Sequence, residues 1–410
     1  MGLGCVQPGG LMKFPIFGWS TSSTASTTVT TYSIVTNYNF GGGTDGTIRE
    51  QVLPVAMTLR NLYITVSSGS APGIGKSWTC TIEKNGVATA LTATISGAAY
   101  EASNTSDVIT FQPGDTVRLA ITPSGTPSAN FPQWTLLGET LGSSCQPFFV
   151  TIPGNHSNTI AGYMSPLGGS YRTTSPGVNM VMPCSGIFTR VRADIRDAPG
   201  SGKSWELALN LNGTNTALST TLIDATVSQT NTTDQIRVVA GDVVVLALTP
   251  SGTPTSTGGT YSVLFTPDIK GESIMSFISQ MSPSNSTTVY NPAFGAFSST
   301  SPTWDANESL YYLRAGFPGA ATITSLFLRT GSAPGSGKSF TFKIRKSATD
   351  TAATATVADL AKTGNITGLN IPIATNDQLS MSSTPSGTPT TSSIAYGYTL
   401  RFPDSNNWSM

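Results

Sequence analysis

Hydrophobic and polar residues alternate with a period of two along several stretches of this chain. From Trp78 to Glu83 every second residue is apolar, and the stretch from Trp205 to Leu211 repeats the pattern. A period of two predicts half-buried β-strands that turn one face to a core. No segment shows a capped helical pattern of useful length. The pattern therefore predicts an all-β protein.

One phrase occurs three times, with a second phrase at a fixed distance after it. The first is Ala-Pro-Gly-x-Gly-Lys-Ser, at residues 71–77, 198–204 and 333–339. The second is Thr-Pro-Ser-Gly-Thr-Pro, at residues 122–127, 249–254 and 384–389. A constant distance between two loops, with most intervening residues changed, indicates that one folded unit has been copied.

Short dipeptides predict where the strands turn. Asn85-Gly86 and Asn212-Gly213 suit a type I′ hairpin, which requires positive φ at both residues. The third unit has Ser347-Ala348 instead, which predicts a different turn. Gly114-Asp115 and its counterparts precede a later strand, and turn chemistry accounts for their aspartates.

About eight strands per unit, with earlier strands entered through Pro54, Pro183 and Pro318, predict a jelly-roll β-sandwich. The fold class is therefore all-β: three tandem jelly-roll-like antiparallel β-sandwich domains with an irregular N-terminal arm. The expected boundaries are an arm at 1–20, domains at 21–141, 142–270 and 271–404, and a tail at 405–410. The arm, with Phe14, Phe17 and Trp19, is expected to dock on a neighbour.

Strand direction adds an expectation about the loops. If successive strands alternate up and down, both repeated phrases and the variable loop around residues 100–106 share one end of each sandwich. Loops at one end of a rigid scaffold are where such a fold carries a binding surface.

Composition narrows the classes of partner. The chain has 21 basic and 21 acidic residues among 410, so electrostatic binding to nucleic acid or to an anionic membrane is not expected. The start carries no apolar run of signal-peptide length, which predicts folding in a cytoplasm. Four cysteines without CxxC spacing and a single histidine, His156, argue against structural zinc. Cys80 is expected to be a small buried hydrophobe, and no cofactor is expected.

The Gly-Lys-Ser of each copy invites comparison with a phosphate-binding loop. That motif needs an earlier glycine and a following helix, whereas a strand follows here. The structural interpretation has Lys76, Lys203 and Lys338 capping carbonyls of the adjoining loop or facing solvent, and a weak anion or sugar contact stays open.

Catalysis has little support in the sequence. His156 has no counterpart in the other units, and no nucleophile-elbow motif occurs. Trp304 and Trp408 have no partners among the repeats, so they are the aromatic candidates for a surface or interface contact. No enzymatic activity is expected.

The order of features in each unit resembles the jelly-roll repeats of tailed-phage virion proteins and of some bacterial surface proteins. The Gly-Asp step before a late strand is also similar to trimeric jelly rolls of the complement-globular and tumour-necrosis-factor type. The resemblance implies a structural virion component, such as a fibre, spike or head-decoration protein anchored by its N-terminal arm.

Other virion proteins are then the expected partners. Either three chains associate side by side in a homo-oligomer such as a trimer, or the three domains of one chain form a rod of beads or a pseudo-threefold cluster. The expected location is the virion. The alternative is a carbohydrate-binding or adhesive surface protein of a phage or bacterium, with a cell-surface glycan as partner and an extracellular location. A glycan-degrading enzyme ranks last.

Overall fold

The alternating stretches form β-strands throughout the described chain. The computed structural model describes residues 11–19, 25–38, 43–66, 71–129, 132–168, 171–174, 179–279, 281–293, 295–296, 304–310 and 316–403. Apart from short 3-10 turns, such as Thr47–Arg49 and Glu308–Leu310, the regular structure assigned there is strand. The all-β expectation is confirmed.

The strands fall into three sets that follow one another along the chain. The first set is β1 (Lys13–Trp19), β2 (Thr31–Ser33), β3 (Asn37–Tyr38), β4 (Gln51–Val52), β5 (Met57–Thr65), β6 (Gly73–Lys84), β7 (Val87–Gly97), β8 (Glu101–Phe111), β9 (Thr116–Ser124) and β10 (Gln133–Thr140). The second is β11 (Gln146–Ile152), β12 (Gly162–Met164), β13 (Met180–Val181), β14 (Gly186–Ile195), β15 (Gly200–Leu211), β16 (Thr214–Asp224), β17 (Ser228–Val238), β18 (Val243–Ser251) and β19 (Gly259–Pro267). The third is β20 (Glu272–Ser279), β21 (Val289–Pro292), β22 (Gly295–Ala296), β23 (Ala321–Thr330), β24 (Gly335–Lys346), β25 (Thr349–Asp359), β26 (Thr363–Ile373), β27 (Leu379–Ser386) and β28 (Ile394–Arg401).

Each set builds two sheets with the same strand order. In domain 1, β1-β10-β5-β8 form one sheet and β2-β9-β6-β7 the other. Domains 2 and 3 repeat this as β11-β19-β14-β17 with β12-β18-β15-β16, and as β20-β28-β23-β26 with β21-β27-β24-β25. The first and last long strands of each domain pair side by side, and from β5, β14 and β23 onward successive strands alternate between the two sheets except for the hairpins β6–β7, β15–β16 and β24–β25. This is the jelly-roll arrangement. The apolar faces enclose a core in each domain, in which Trp78, Trp205 and Phe340 occupy the same position.

The expected N-terminal arm is wrong for residues 13–19. These residues form β1, which pairs antiparallel with β10 from Lys13↔Glu139 to Trp19↔Gln133. Phe14 is buried in the core of domain 1, so it docks on its own domain, whereas Phe17 packs against the core of domain 3, with its ring 6.1 Å from that of Phe317. Without β1 the last strand of domain 1 would expose an edge, which explains why this segment must belong to the sandwich. Residues 1–10 and 404–410 lie outside the described part of the chain.

The three domains close into a ring. Val55, after Pro54 of domain 1, packs against Cys145 and Leu264 of domain 2. The carbonyl of Pro183 in domain 2 accepts a 3.0 Å hydrogen bond from Ser325 Oγ of domain 3. The carbonyl of Pro318 in domain 3 accepts a 2.7 Å bond from Asn61 Nδ2 of domain 1. The proline-led segment of each domain thus contacts the next domain, and the third contact returns to the first.

Equivalent strands also meet where the domains converge. A small cavity of about 60 Å³ is lined by Phe14–Phe17 of β1, Gln146–Phe149 of β11 and Ile274–Ser276 of β20, along with Thr36, Pro166 and Leu167. The Gln146 side-chain amide donates to the Ile274 carbonyl at 2.9 Å and accepts from the Ile274 amide at 2.6 Å. Head-to-tail contacts that close after three steps define a pseudo-threefold arrangement.

The hairpin turns share one geometry, including the turn expected to differ. Asn85 and Gly86 have φ values of 51° and 74°, and Ser347 and Ala348 have 46° and 64°. The prediction of a different third turn is wrong, because the surrounding register imposes positive φ whatever residues stand there. Alanine pays a steric penalty in this region that glycine does not.

The third turn therefore offers a stability test. We expect the double variant Ser347→Asn, Ala348→Gly to raise the free energy of unfolding by about 1 kcal/mol, because both new residues tolerate positive φ. Thermal unfolding of purified protein measures the change. The matched control, Gly86→Ala in domain 1, is expected to lower stability; a stabilising Gly86→Ala would contradict the argument.

Candidate functional site

The two repeated phrases pack against each other at one end of every domain, called here the loop end. The backbone carbonyls of Pro72, Pro199 and Pro334 accept hydrogen bonds from the amides of Ser128, Thr255 and Thr390, at 2.8–3.1 Å. The Tyr100 carbonyl accepts from Val66 at 2.9 Å, which places the neighbouring loop at the same end. The expectation is confirmed for the two phrases and for Tyr100, whereas residues 101–106, expected to be a loop, belong to strand β8.

Glycines at the loop end are fixed by close approach and by backbone conformation. A Cβ on Gly125 would lie 2.8 Å from the Gly75 carbonyl oxygen, and the same clash occurs at Gly252 and Gly387. Gly125 also has a φ of 68°. These glycines therefore serve turn geometry, as the sequence predicted.

The lysines of the first phrase have no internal partner. The stems of Lys76, Lys203 and Lys338 lie across the glycine turns, with Lys76 Cγ 3.2 Å from the position a Gly125 Cβ would take. Within the described residues, none of the three ammonium groups has a hydrogen bond or an ion pair. All three lysines are half-buried, and in the described part of the chain none of them caps a carbonyl. No helix follows the Gly-Lys-Ser, since β6, β15 and β24 run through it.

A threonine beside each lysine adopts an unusual backbone conformation. Thr126, Thr253 and Thr388 have φ values of 53°, 54° and 50°. Positive φ is rare for any residue with a side chain and a true outlier for a β-branched one. All three threonines are exposed, and in the described part of the chain their hydroxyls make no hydrogen bond. Neither packing nor turn chemistry explains threonine at this position in three copies.

Serines complete the polar surface. Ser77 stands opposite Ser124 in the β6–β9 register, and Ser204–Ser251 and Ser339–Ser386 do so in the other domains. Residues directly opposite on antiparallel strands project from the same face. Each loop end thus presents one lysine, two serines and one threonine of identical type and placement.

The neighbourhood of the lysines differs between domains. In domains 2 and 3 a carboxylate, Asp224 Oδ1 or Asp359 Oδ1, accepts a hydrogen bond of 2.6 or 2.7 Å from the amide of Gly202 or Gly337. Domain 1 has Gly97 at the corresponding place, with a φ of 60°. The lysine of domain 1 therefore lacks the nearby negative charge that the other two have.

The aromatic candidates do not form a surface site. Trp304 is only 8% exposed and belongs to the core of domain 3, where its ring lies 6.1 Å from that of Phe342. Its indole Nε1 donates to the Met281 carbonyl at 3.2 Å. The interpretation of Trp304 as a surface contact is wrong, because this domain uses the indole to fill its core. Trp408 lies outside the described residues.

His156 is buried in domain 2 and not placed in a polar surface loop. Its exposure is 1%, and its Nε2 lies 2.6 Å from the Tyr261 hydroxyl. Nδ1 is buried with no hydrogen-bond partner in the described residues. Burial, and the charge of Arg196, lower the pKa of His156 to about 3. The imidazole therefore stays neutral and structural at ordinary pH.

Other titratable groups have structural roles as well. Cys80 is buried in the core as expected, and burial raises the pKa of its thiol to about 12. The backbone amide of Gln112, with Asn85 and Lys84, lowers the pKa of Asp115 to about 2. This bonding confirms a turn role for Asp115. Among the described residues, no cluster of three or more His, Cys, Asp or Glu is placed to hold a metal ion.

A search of the described helices finds none long and apolar enough to cross a membrane.

Comparisons with known proteins add little to the description of this site. No protein-family model matches the chain, and no curated protein matches its sequence. Among solved structures, the chain is similar to that of the infectious bursal disease virus VP2 subviral particle, at 10% identity and a TM-score of 0.12. The match covers 98% of this chain and 83% of that chain. A likeness at this level carries no argument about fold or function.

Acid should destabilise domain 2 through His156. The folded protein holds the pKa of His156 near 3 and the unfolded chain near 6.5, so between these values the unfolded state binds more protons. We expect the free energy of unfolding to fall as pH drops below 6.5, by at most about 1.4 kcal/mol per pH unit from this group. Denaturant titrations at several pH values measure the slope.

The variant His156→Gln is the control for that slope. It keeps a donor for Tyr261 and removes the titrating group, so its stability should depend less on pH in this range. An unchanged slope in the variant would show that other groups cause the acid sensitivity.

Threonine at positive φ should cost stability. We expect Thr126→Gly, Thr253→Gly and Thr388→Gly each to raise, or leave unchanged, the free energy of unfolding, with a gain of up to about 1 kcal/mol from relieved strain. Calorimetry of the single variants and the triple variant measures the change. Thr122→Gly, within β9, is the matched control and should lower stability. A clear loss of stability in the Thr126→Gly variant would show that threonine is not strained at this position.

Proposed function

We propose that this protein is a non-enzymatic structural component of a virus particle. The observation that carries the proposal is the ring of three jelly rolls closed within one chain. Such a ring offers three equivalent surfaces around one pseudo-threefold axis, which suits a position on a symmetric particle lattice.

The chemistry of the described residues supports a structural role. Apart from the loop ends, the polar clusters described above serve turns, hairpins and domain contacts, and His156 is buried against Tyr261. A salt bridge stabilises the fold in the same way: Arg118 of β9 joins Glu83 of β6 at 2.7 Å and Glu50 at 3.0 Å. A surface of serine and threonine over rigid sandwiches fits a protein that presents loops and does no chemistry on a substrate.

The resemblance to tailed-phage proteins refines the proposal. A head-decoration protein, spike or fibre of such a phage fits, with other virion proteins as partners and the virion as location. The ring narrows the choice, because one chain already supplies the three-domain cluster that a homotrimer would otherwise build. One chain per threefold position is then the expected stoichiometry.

Purified particles test the proposal. We expect mass spectrometry of gradient-purified virions to detect the chain, and electron microscopy to locate a three-lobed density of its size on the particle. A ring-breaking variant, Leu264→Asp, puts a charge against Val55 at the domain 1–2 interface and should reduce incorporation. Leu360→Asp, at an exposed site, is the matched control. Absence from particles, with presence on cell envelopes, would favour the adhesive surface protein instead.

A further inference from the structure

The loop ends have the same residues in all three copies, and folding does not explain this. The residue after each leading proline has diverged, to Val55, Cys184 and Gly319, although each lies beside the next domain. Val55 packs on Leu264, Cys184 lines a cleft with Ser325, and a Cβ on Gly319 would lie 3.4 Å from Leu137. The half-buried lysine and serine of the first phrase, and the exposed serine and threonine of the second, are the same in all three copies. Residues kept identical on a surface, while contact residues changed, indicate a shared ligand.

The backbone conformation of the loop-end threonine also indicates a function. Glycine or asparagine is the easier residue at φ near 53°, yet Thr126, Thr253 and Thr388 all stand there. Strain that local structure does not require is characteristic of functional positions. The strain holds an exposed hydroxyl, which makes no hydrogen bond within the described residues, next to the glycine that packs against the lysine stem.

We propose that the three loop ends form a trivalent binding site for an anionic polysaccharide, each binding one carboxylate or sulfate group. The ammonium of Lys76, Lys203 or Lys338 supplies the charge. The hydroxyls of the adjoining serine and threonine supply donors for the acid group and the sugar. The inference depends on the loop ends alone and not on the virion role.

A polymer is favoured over a single small anion by the energetics of exposed sites. One half-buried surface lysine contributes about 1 kcal/mol or less to binding an anion. Three identical sites fixed on one ring gain by multivalency when the ligand repeats, with an avidity that exceeds each single affinity by about 10²-fold or more. A repeating acidic glycan is the partner that uses this arrangement.

The three sites should not be equal. Asp224 and Asp359 lie beside the lysine loops of domains 2 and 3, and Gly97 replaces them in domain 1. An adjacent carboxylate repels an anionic ligand. We therefore expect the Lys76 site to contribute most.

Immobilised alginate, a polyuronate, is the probe, with neutral dextran as reference surface. We expect wild-type protein to bind alginate and not dextran, with an affinity that falls as salt is added. The triple variant Lys76→Gln, Lys203→Gln, Lys338→Gln should lose about tenfold or more of that affinity. Single variants should rank Lys76→Gln as the most damaging.

A matched triple variant controls for net charge. Lys84→Gln, Lys343→Gln, Lys346→Gln removes the same charge from lysines already paired with Asp115, Asp350 and Asp377, and should retain binding within about twofold. Equal loss in both triples would overturn the proposal, and so would wild-type binding to neither alginate nor dextran sulfate. Binding to an acidic protein surface in the absence of glycan binding would also overturn it.

The threonines give a test that misfolding cannot mimic. The triple variant Thr126→Gly, Thr253→Gly, Thr388→Gly should bind alginate several-fold more weakly while its melting temperature stays level or rises. Unchanged binding in this variant would show that the threonine hydroxyls do not contact the ligand. It would also refute the binding role assigned to the strained backbone of these threonines.

Discussion

The packing of each domain's proline-led segment on the next domain holds the three sandwiches in one ring. The three contacts between domains differ in chemistry. Val55 makes an apolar contact with Leu264. The Pro183 carbonyl accepts a hydrogen bond from a serine hydroxyl, and the Pro318 carbonyl accepts one from an asparagine side-chain amide. Because the three contacts are not interchangeable, each domain fits only its proper neighbour. That difference gives the ring a single order, as unequal interfaces do in assemblies of separate subunits.

Local sequence was sufficient to predict the sandwich, because strands and turns depend on nearby residues. Alternation identified β6 and β15, and paired turn residues located their ends. β1 could not be predicted in this way, since its partner β10 lies more than a hundred residues away and its Phe14 and Phe17 look like exposed anchors in isolation. The prediction of a different turn at Ser347-Ala348 was wrong for a related reason, because strand register overrode the local preference of the turn residues.

The candidate site was predicted in part. The sequence located both phrases at one end and left an anion or sugar contact open for the lysines. It could not show that the threonine after Ser-Gly has positive φ, because Ser-Gly-Thr-Pro does not reveal which residue takes that conformation. The role of Trp304 needed the packing around Phe342, which no repeat comparison supplies because the other domains fill this space differently.

Fusion of the three sandwiches changes how the ring responds to dilution. A trimer of separate chains dissociates as its concentration falls, whereas contacts between domains of one chain form at a high and constant effective concentration. Asn61 of the first domain and Pro318 of the third meet although 257 residues separate them. One molecule can therefore keep its pseudo-threefold shape however low its concentration, even when a single particle holds few copies.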